Sequence, residues 1–187
     1  MNTICTSTLA IASSLLVAAC GGMPSSGSPK APMFTQDTLP DAVKVPGGHR
    51  VALETVGVGD ITYECRAKAG TAGAFEWVFV GPKADLNSRG GTRLGTYFGP
   101  PATWMASDGS AITGAQLAVS PNGAGNIPLQ LVKANPATGS GAMSGMAYVQ
   151  RVATRGGVAP AMACDGSVLG RKEVVRYQAD YVFWKAA

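Results

Sequence analysis

The side chains that most often carry enzyme chemistry are scarce in this sequence. There is one histidine, His49, which follows Gly47 and Gly48. A single imidazole cannot supply the several nitrogen ligands of an H-E-x-x-H or similar zinc site, so we expect no metal site. No serine stands in the G-x-S-x-G pattern of a hydrolase nucleophile. We therefore predict no catalytic residue and expect His49 to be exposed at the start of a strand, with a general-base role as the alternative.

Acid–base catalysis by carboxylates is the enzymatic alternative that stays open. Asp60 and Glu64 have the even spacing that puts two side chains on one face of a strand. The carboxylates that could join them from neighbouring strands are Glu54, Glu76 and Asp180. Next to Arg66 and Arg176, however, this pattern is typical of the solvated face of a sheet, and we favour that interpretation.

Two glycine-rich stretches come close to cofactor motifs without matching them. Residues 139–145 have the pattern G-x-G-x-x-x-G, which is one residue longer than the dinucleotide fingerprint and is not followed by a predicted helix. Asp85, Asn87 and Gly90 copy three positions of a calcium loop, but Arg89 stands among them and would repel the ion. We expect no cofactor.

Arginine and aromatic side chains point to binding instead. The net charge is +4, and Tyr97, Trp104, Arg151 and Arg155 lie near glycine- or proline-rich turns. Arginine attracts anions and aromatic rings supply contact area, so we predict that these four residues bind a ligand. The alternatives are core packing for the aromatic residues and ordinary solubilising charge for the arginines.

Period-two alternation predicts that strands position these side chains. Ile61, Tyr63 and Cys65 alternate with polar neighbours, and residues 75–80 alternate in the same way. Turn signals recur at strand spacing, including one at residues 57–60. A hydrophobic fraction of 46% with only 14% charged residues argues against disorder and coiled coils. We predict an all-β fold, an antiparallel β-sandwich or barrel of about nine strands, as a single domain over residues 46–187.

The N-terminal residues have the features of a processed export signal. Residues 4–19 are apolar but too few to span a bilayer, and small residues precede Cys20. This stretch resembles the lipobox of bacterial lipoproteins, in which the chain is cut before the cysteine and acyl chains such as palmitate are attached to it. A plain secretory signal is the alternative, because residues 1–3 contain no lysine or arginine.

The lipobox resemblance implies a domain layout and a location. Residues 1–19 would be the signal peptide, Cys20 the lipidated residue, and residues 20–45, rich in proline and serine, a flexible tether. Gly21 after the cysteine favours the outer membrane of the cell envelope, facing the periplasm or the cell surface. The partners expected are the membrane, through the N-terminal lipid, and a small-molecule or glycan ligand, with nucleic acid excluded by the compartment.

The cysteine count fits an exported protein. Of the four cysteines, Cys5 leaves with the signal and Cys20 carries lipid, which leaves Cys65 and Cys164. Disulfides persist in an oxidising compartment, so we predict that these two form one disulfide. The alternative is a pair of buried thiols.

Motifs along most of the chain resemble one family. They are residues 49–54, 59–65 (GDITYEC), 98–104 (FGPPATW), 127–130, 150–160 (QRVATRGGVAP) and 177–183, together with Cys164. They are similar to a family of secreted bacterial and fungal proteins known only as a domain of unknown function, over about residues 40 to 185. The resemblance implies that Cys65 and Cys164 are the family's cysteines, and it implies no activity. Some fungal members carry a malate dehydrogenase label, which the missing nucleotide fingerprint does not support.

Three functions follow from these observations. We expect a lipid-anchored envelope protein that binds a small molecule, a glycan or an anionic envelope component. The first alternative is a structural or assembly protein of the envelope. The second is a carboxylate-dependent enzyme, which would show a carboxylate with a raised pKa near His49.

Overall fold

The computed structural model describes residues 34–187, and nearly all regular structure in this range is β-strand. The strands are β1 (His49–Ala67), β2 (Phe75–Asn87), β3 (Arg93–Phe98), β4 (Thr103–Ala106), β5 (Ala111–Ser120), β6 (Leu129–Ala134), β7 (Met146–Gly156) and β8 (Lys172–Ala186). The helical structure in this range consists of two 3-10 turns, Asp41–Val43 and Gly166–Val168. Within these residues, no helix is both long enough and apolar enough to cross a membrane.

The eight strands form one closed antiparallel barrel. Each strand pairs with the next in the sequence, and β8 pairs with β1 to close the sheet. Closure satisfies the backbone groups that would otherwise be exposed at two sheet edges. The all-β antiparallel prediction is confirmed as a barrel, with eight strands where about nine were expected.

The turn expected at residues 57–60 is wrong, because β1 continues through it as one 19-residue strand. Gly57 faces the barrel interior, where an added Cβ would lie 2.5 Å from Cε2 of Tyr181. A Cβ on Gly59 would collide with the backbone oxygen of Lys83. An eight-stranded barrel is just wide enough for its interior side chains. These glycines therefore make room inside a strand and do not break it.

Two apolar cores lie on opposite sides of the barrel wall. The inner core fills the barrel, and its largest fully buried side chains include Trp104, Tyr181 and Phe183. The outer core covers the outside of β6, β7 and β8 with the buried residues Val43, Val45, Leu129, Leu131, Val152, Val182 and Trp184. Parts of β7 and β8 are thus covered on both faces of the sheet, which explains why apolar and polar residues alternate only weakly in their sequences.

The N-terminal segment of the described range, residues 34–45, lies against the barrel. Val43 is fully buried, and its backbone oxygen accepts a hydrogen bond of 2.6 Å from Nε2 of Gln150. Oε1 of Gln150 in turn accepts a hydrogen bond of 2.8 Å from Nε1 of Trp184. Residues 34–45, which the sequence analysis assigned to the tether, thus form the cover of the outer core. Residues 1–33, which include the predicted signal peptide and Cys20, lie outside the described residues.

The predicted disulfide joins Cys65, near the end of β1, to Cys164, and it spans 99 residues of sequence. Cys164 belongs to the connection between β7 and β8, residues 157–171, which we call the disulfide loop. The backbone of Cys65 also pairs with Arg171 and Gly170 at the end of this loop. Closing a loop of this length stabilises a fold by up to about 4.7 kcal/mol in the chain-entropy model.

Candidate functional site: the mouth of the barrel

One end of the barrel gathers the side chains with the clearest binding potential. This end, which we call the mouth, is where β1, β3, β5 and β7 finish and β2, β4, β6 and β8 begin. Arg151 of β7 pairs in register with Tyr181 of β8 and with Gln130 of β6. Paired residues on neighbouring strands share a face of the sheet, and Tyr181 is buried in the inner core. Arg151 therefore stands on the inner face of the barrel.

The guanidinium of Arg151 reaches the mouth and is held there by the backbone. Its Nε and Nη2 atoms donate hydrogen bonds of 3.2 and 2.9 Å to the backbone oxygen of Pro128, in the loop before β6. Arginine has five N–H groups. Two of them bind Pro128, and the other three have no acceptor within residues 34–187.

Four buried tyrosines face the inside of the barrel on the same side of the wall as this cation. We call Tyr63, Tyr97, Tyr177 and Tyr181 the lumen tyrosines; all are buried. Burial raises the pKa of each phenol, and the positive charge of Arg151 acts in the opposite direction on all four pKa values. The Tyr177 and Tyr181 hydroxyls lie 3.1 Å apart, and Tyr63 donates a 2.8 Å hydrogen bond to the backbone oxygen of Gly157. The phenols stay neutral near pH 7, so they do not compensate the charge of Arg151.

Arg151 differs from the other arginines of the described range. Arg66, Arg89, Arg93, Arg171 and Arg176 are exposed, and each lies within 4.0 Å of a carboxylate. Arg50 and Arg155 have no such partner among the described residues but are exposed. Within residues 34–187, Arg151 is the arginine that is partly buried and has no carboxylate partner. A partly desolvated cation without a counter-ion attracts anions more strongly than an exposed one.

A β-bulge separates the two arginines that the sequence analysis grouped together. Val152 pairs with Asp180 and Arg155 pairs with Gln178, so three steps along β7 match two along β8. Ala153 lies within this bulge and has a φ of 49°, a left-handed conformation that is costly for a residue with a side chain. The extra residue reverses the alternation of faces. Arg155 is therefore exposed on the outer surface of the barrel and does not line the mouth with Arg151.

A side-chain network holds the bulge in place. Oγ1 of Thr154 donates a 2.5 Å hydrogen bond to the backbone oxygen of Ile127 and accepts one of 2.9 Å from Nδ2 of Asn122. Oδ1 of Asn126 accepts a 2.9 Å hydrogen bond from the backbone N–H of Gly156. These bonds tie β7 to the loop that also carries the Pro128 oxygen. The bulge and the anchor of the arginine are thus built from the same loop.

The two aromatic residues of the predicted binding set form the wall beneath the mouth. Tyr97 and Trp104 are buried and stacked, with ring centroids 4.9 Å apart and planes 21° apart. Nε1 of Trp104 is buried without a hydrogen-bond partner within the described residues. The rings of Tyr181 and Phe183 lie at steep angles to the indole, an arrangement in which ring faces can accept its N–H. Tyr97 and Trp104 therefore pack in the core, which is the alternative to ligand binding that the sequence left open.

The remaining candidates from the sequence lie at the far end of the barrel or on its outer face, and the carboxylates among them are ion-paired. His49 is at the opposite end, with its ring edge-to-face against Tyr148 at 4.9 Å. The five carboxylates considered for catalysis each lie within 4.0 Å of a cation: Asp60 of Arg176, Glu64 of Arg66, Glu76 of Lys68, and Glu54 and Asp180 of Arg89. The hydrogen bond from Arg66 lowers the pKa of Glu64, the opposite of what a general acid needs.

Three surface depressions lie away from the mouth. One of about 240 Å³ is on the outer wall, lined by both acidic and basic residues that include Asp60, Lys83 and Arg176. The other two, of about 180 and 260 Å³, lie beside Arg93 and the β4–β5 turn. None of the three contains Arg151 or a lumen tyrosine. Within residues 34–187, no group of three or more histidine, cysteine or carboxylate side chains is placed to hold a metal ion.

No direct signal in the sequence indicates that the lumen tyrosines form a group. Tyr177 and Tyr181 have the even spacing of one strand face, but their meeting with Arg151 depends on the register of β7 against β8. Gln130 was missed for the same reason. Only knowledge of the strand pairing would have placed these residues around one cation.

The fold and the site define a small antiparallel barrel with Arg151, which has no carboxylate partner in residues 34–187, on its inner face near buried tyrosines. The family model described as "Protein of unknown function (DUF3455)" matches residues 46–185, and the chain belongs to this family. The comparisons with curated proteins and with solved structures gave no significant match.

Proposed function

We propose that this domain binds a small anionic molecule at the mouth of the barrel, with Arg151 as the residue that contacts the anion. The observation that carries the proposal is the set of three N–H groups of Arg151 without an acceptor in residues 34–187. Guanidinium groups bind carboxylates and phosphates through two parallel hydrogen bonds, which needs two such N–H groups. The hydrogen bonds to Pro128 fix the orientation in advance and reduce the entropy lost on binding.

The surroundings of the cation favour an anion over a neutral ligand. At 4 Å, in surroundings with an effective dielectric constant of about 20, one unit charge attracts another by about 4 kcal/mol. The lumen tyrosines hold no negative charge at neutral pH, because burial raises their pKa values. A carboxylate or phosphate is therefore the group that the site is best able to recognise.

The binding domain is proposed to act in the cell envelope, attached through lipid on Cys20. The support for this step is the lipobox-like sequence before Cys20. Two or more acyl chains give stable anchoring. Cys20→Ser should move the protein from the membrane fraction to the soluble fraction, and retention of that variant in the membrane would contradict the anchor.

Native mass spectrometry of the full-length protein, extracted from its own envelope, tests the binding function. A ligand would add a mass to the folded protein that disappears when the same sample is denatured. The size of that mass would begin to identify the molecule. A bare protein mass would count against the binding proposal, and the mass of a second protein would favour the structural alternative.

Catalysis has less support from the geometry than binding has. The carboxylates considered for acid–base chemistry are all paired with lysine or arginine. A general acid near neutral pH needs a raised pKa, which burial or a like charge would provide. His49 forms no ion pair with a carboxylate within the described residues; its partners there are the Tyr148 ring and the backbone oxygens of Pro46 and Gly47.

A further inference from the structure

Four apolar side chains stand exposed around the mouth. Phe79 is 50% exposed, Val119 44%, Val158 40% and Met162 41%. We call these four residues the apolar rim. Single exposed apolar residues are common on protein surfaces, but a group of them beside a candidate site needs an explanation.

Direct contacts join one side of the rim to the lumen. The ring of Phe79 packs edge-to-face against Tyr63, with centroids 6.1 Å apart. The Tyr63 hydroxyl binds the backbone oxygen of Gly157, the residue before Val158. Nε1 of Trp77 donates a 2.9 Å hydrogen bond to the backbone oxygen of Met162. Phe79 is on the same strand as Trp77, two residues further on, so these rim residues belong to one surface.

The other side of the rim is connected to the cation through the sheet. Val119 of β5 pairs with Gln130 of β6, and Gln130 pairs with Arg151 of β7. The three residues share the inner face at neighbouring positions. Apolar side chains therefore flank the cation from β5 on one side and from β2 and the disulfide loop on the other.

The exposure of Phe79 follows from the strand lengths. β2 pairs with β1 from Phe75 onward, but its pairing with β3 begins only at Lys83. Phe79 thus faces inward on a part of β2 that has no β3 neighbour to close the wall. The disulfide, the hydrogen bond from Trp77 and the backbone pairs of Cys65 hold the disulfide loop on this side.

We propose that the ligand is an amphiphilic anion, with its carboxylate or phosphate at Arg151 and its apolar chain or ring against the apolar rim. This inference rests on the proposed function and adds the chemical class of the ligand. A bare inorganic anion would use only the cation and would leave the rim in water. An amphiphile covers the rim and satisfies the cation at the same time, which gains affinity from both surfaces.

The test is a binding series with n-alkanoates from acetate to octanoate, and with inorganic phosphate, measured by calorimetry on the full-length Cys20→Ser protein. Each methylene buried against the rim should tighten binding about fourfold. Phe79→Ser should reduce the affinity gained per methylene, so that octanoate loses more affinity than acetate does. Val58→Ser is the matched control, because Val58 is 46% exposed but lies on the outward face of β1.

The outcomes separate the two proposals. Affinity that rises with chain length and depends on Phe79 supports the amphiphile. Equal affinity for acetate and octanoate, lost in Arg151→Gln, overturns the amphiphile and keeps the anion site. Equal losses of octanoate affinity in Phe79→Ser and Val58→Ser also overturn the proposed contact between the ligand and the apolar rim. If none of these anions binds, both proposals fail. Because Phe79 is half exposed, Phe79→Ser should fold, and Val119→Ser provides a second variant of the rim.

Discussion

Replacing Gly57 by alanine tests how the interior of the barrel is built. An added Cβ would lie 2.5 Å from Cε2 and 2.9 Å from Cδ2 of Tyr181, whereas ordinary contacts begin at 3.4 Å. The ring must therefore move by about 1 Å. It has little room, because its centroid lies 5.0 Å from that of Tyr97 and 6.1 Å from that of Trp104. Overpacking of this kind costs about 1–3 kcal/mol, and we expect the upper half of that range.

The assay is equilibrium unfolding in urea, with Gly47→Ala as the control. Gly47 has nothing within 4 Å of an added Cβ, so its substitution should change the free energy of unfolding by less than about 0.5 kcal/mol. Gly57→Ala should lower the unfolding free energy by about 2–3 kcal/mol and the Tm by about 4–12 °C. If Gly57→Ala is as stable as the control, Gly57 does not face a packed interior, and the continuous strand is wrong.

Three other predictions concern stability. Replacing both Cys65 and Cys164 by alanine should lower the free energy of unfolding by about 2–5 kcal/mol in urea titrations. A variant as stable as the wild type would contradict the stabilising role of the disulfide. The lumen tyrosines have raised pKa values, so above about pH 10 the unfolded chain releases protons that the native chain keeps. Stability should therefore fall as the pH rises above about 10. A spectrophotometric titration should show these phenols ionising mainly when the protein unfolds. Ionisation of the four phenols near pH 10 in the folded protein would refute this prediction. Gln150→Ala removes the hydrogen bonds to Val43 and Trp184, should cost about 2–4 kcal/mol, and should expose residues 34–45 to proteases; unchanged cleavage would contradict the docked segment.

The fold class was predictable because it depends on local pattern. Period-two alternation and regularly spaced turns specify antiparallel strands, and the cysteine count together with the expected export predicted one disulfide. The 19-residue β1 was not predicted as one strand, because glycine signals a turn locally whereas here it admits the Tyr181 ring. β4 was not predicted, because four residues between two turns carry too little periodicity.

The candidate site was predictable only in part. Arg151 and Arg155 looked equivalent in the sequence, four residues apart on one strand. The bulge at Ala153 places them on opposite faces, and nothing in the local sequence reveals which residue takes the left-handed conformation. Tyr97 and Trp104 were expected at a binding surface and lie in the inner core below the mouth. The order of residues 34–45 depends on their contact with the outside of β6, β7 and β8, which a proline-rich composition does not indicate.

The most direct test of the anion site compares two arginines on the same strand. Arg151→Gln and Arg155→Gln remove the same charge, one from the inner face at the mouth and one from the outer surface. Native mass spectrometry of the wild type and both variants, each purified in the same way from the same cells, measures what stays bound. We predict that the wild type and Arg155→Gln carry the same added mass and that Arg151→Gln carries none. An added mass that is identical in all three proteins, or absent from the wild type, would contradict the site.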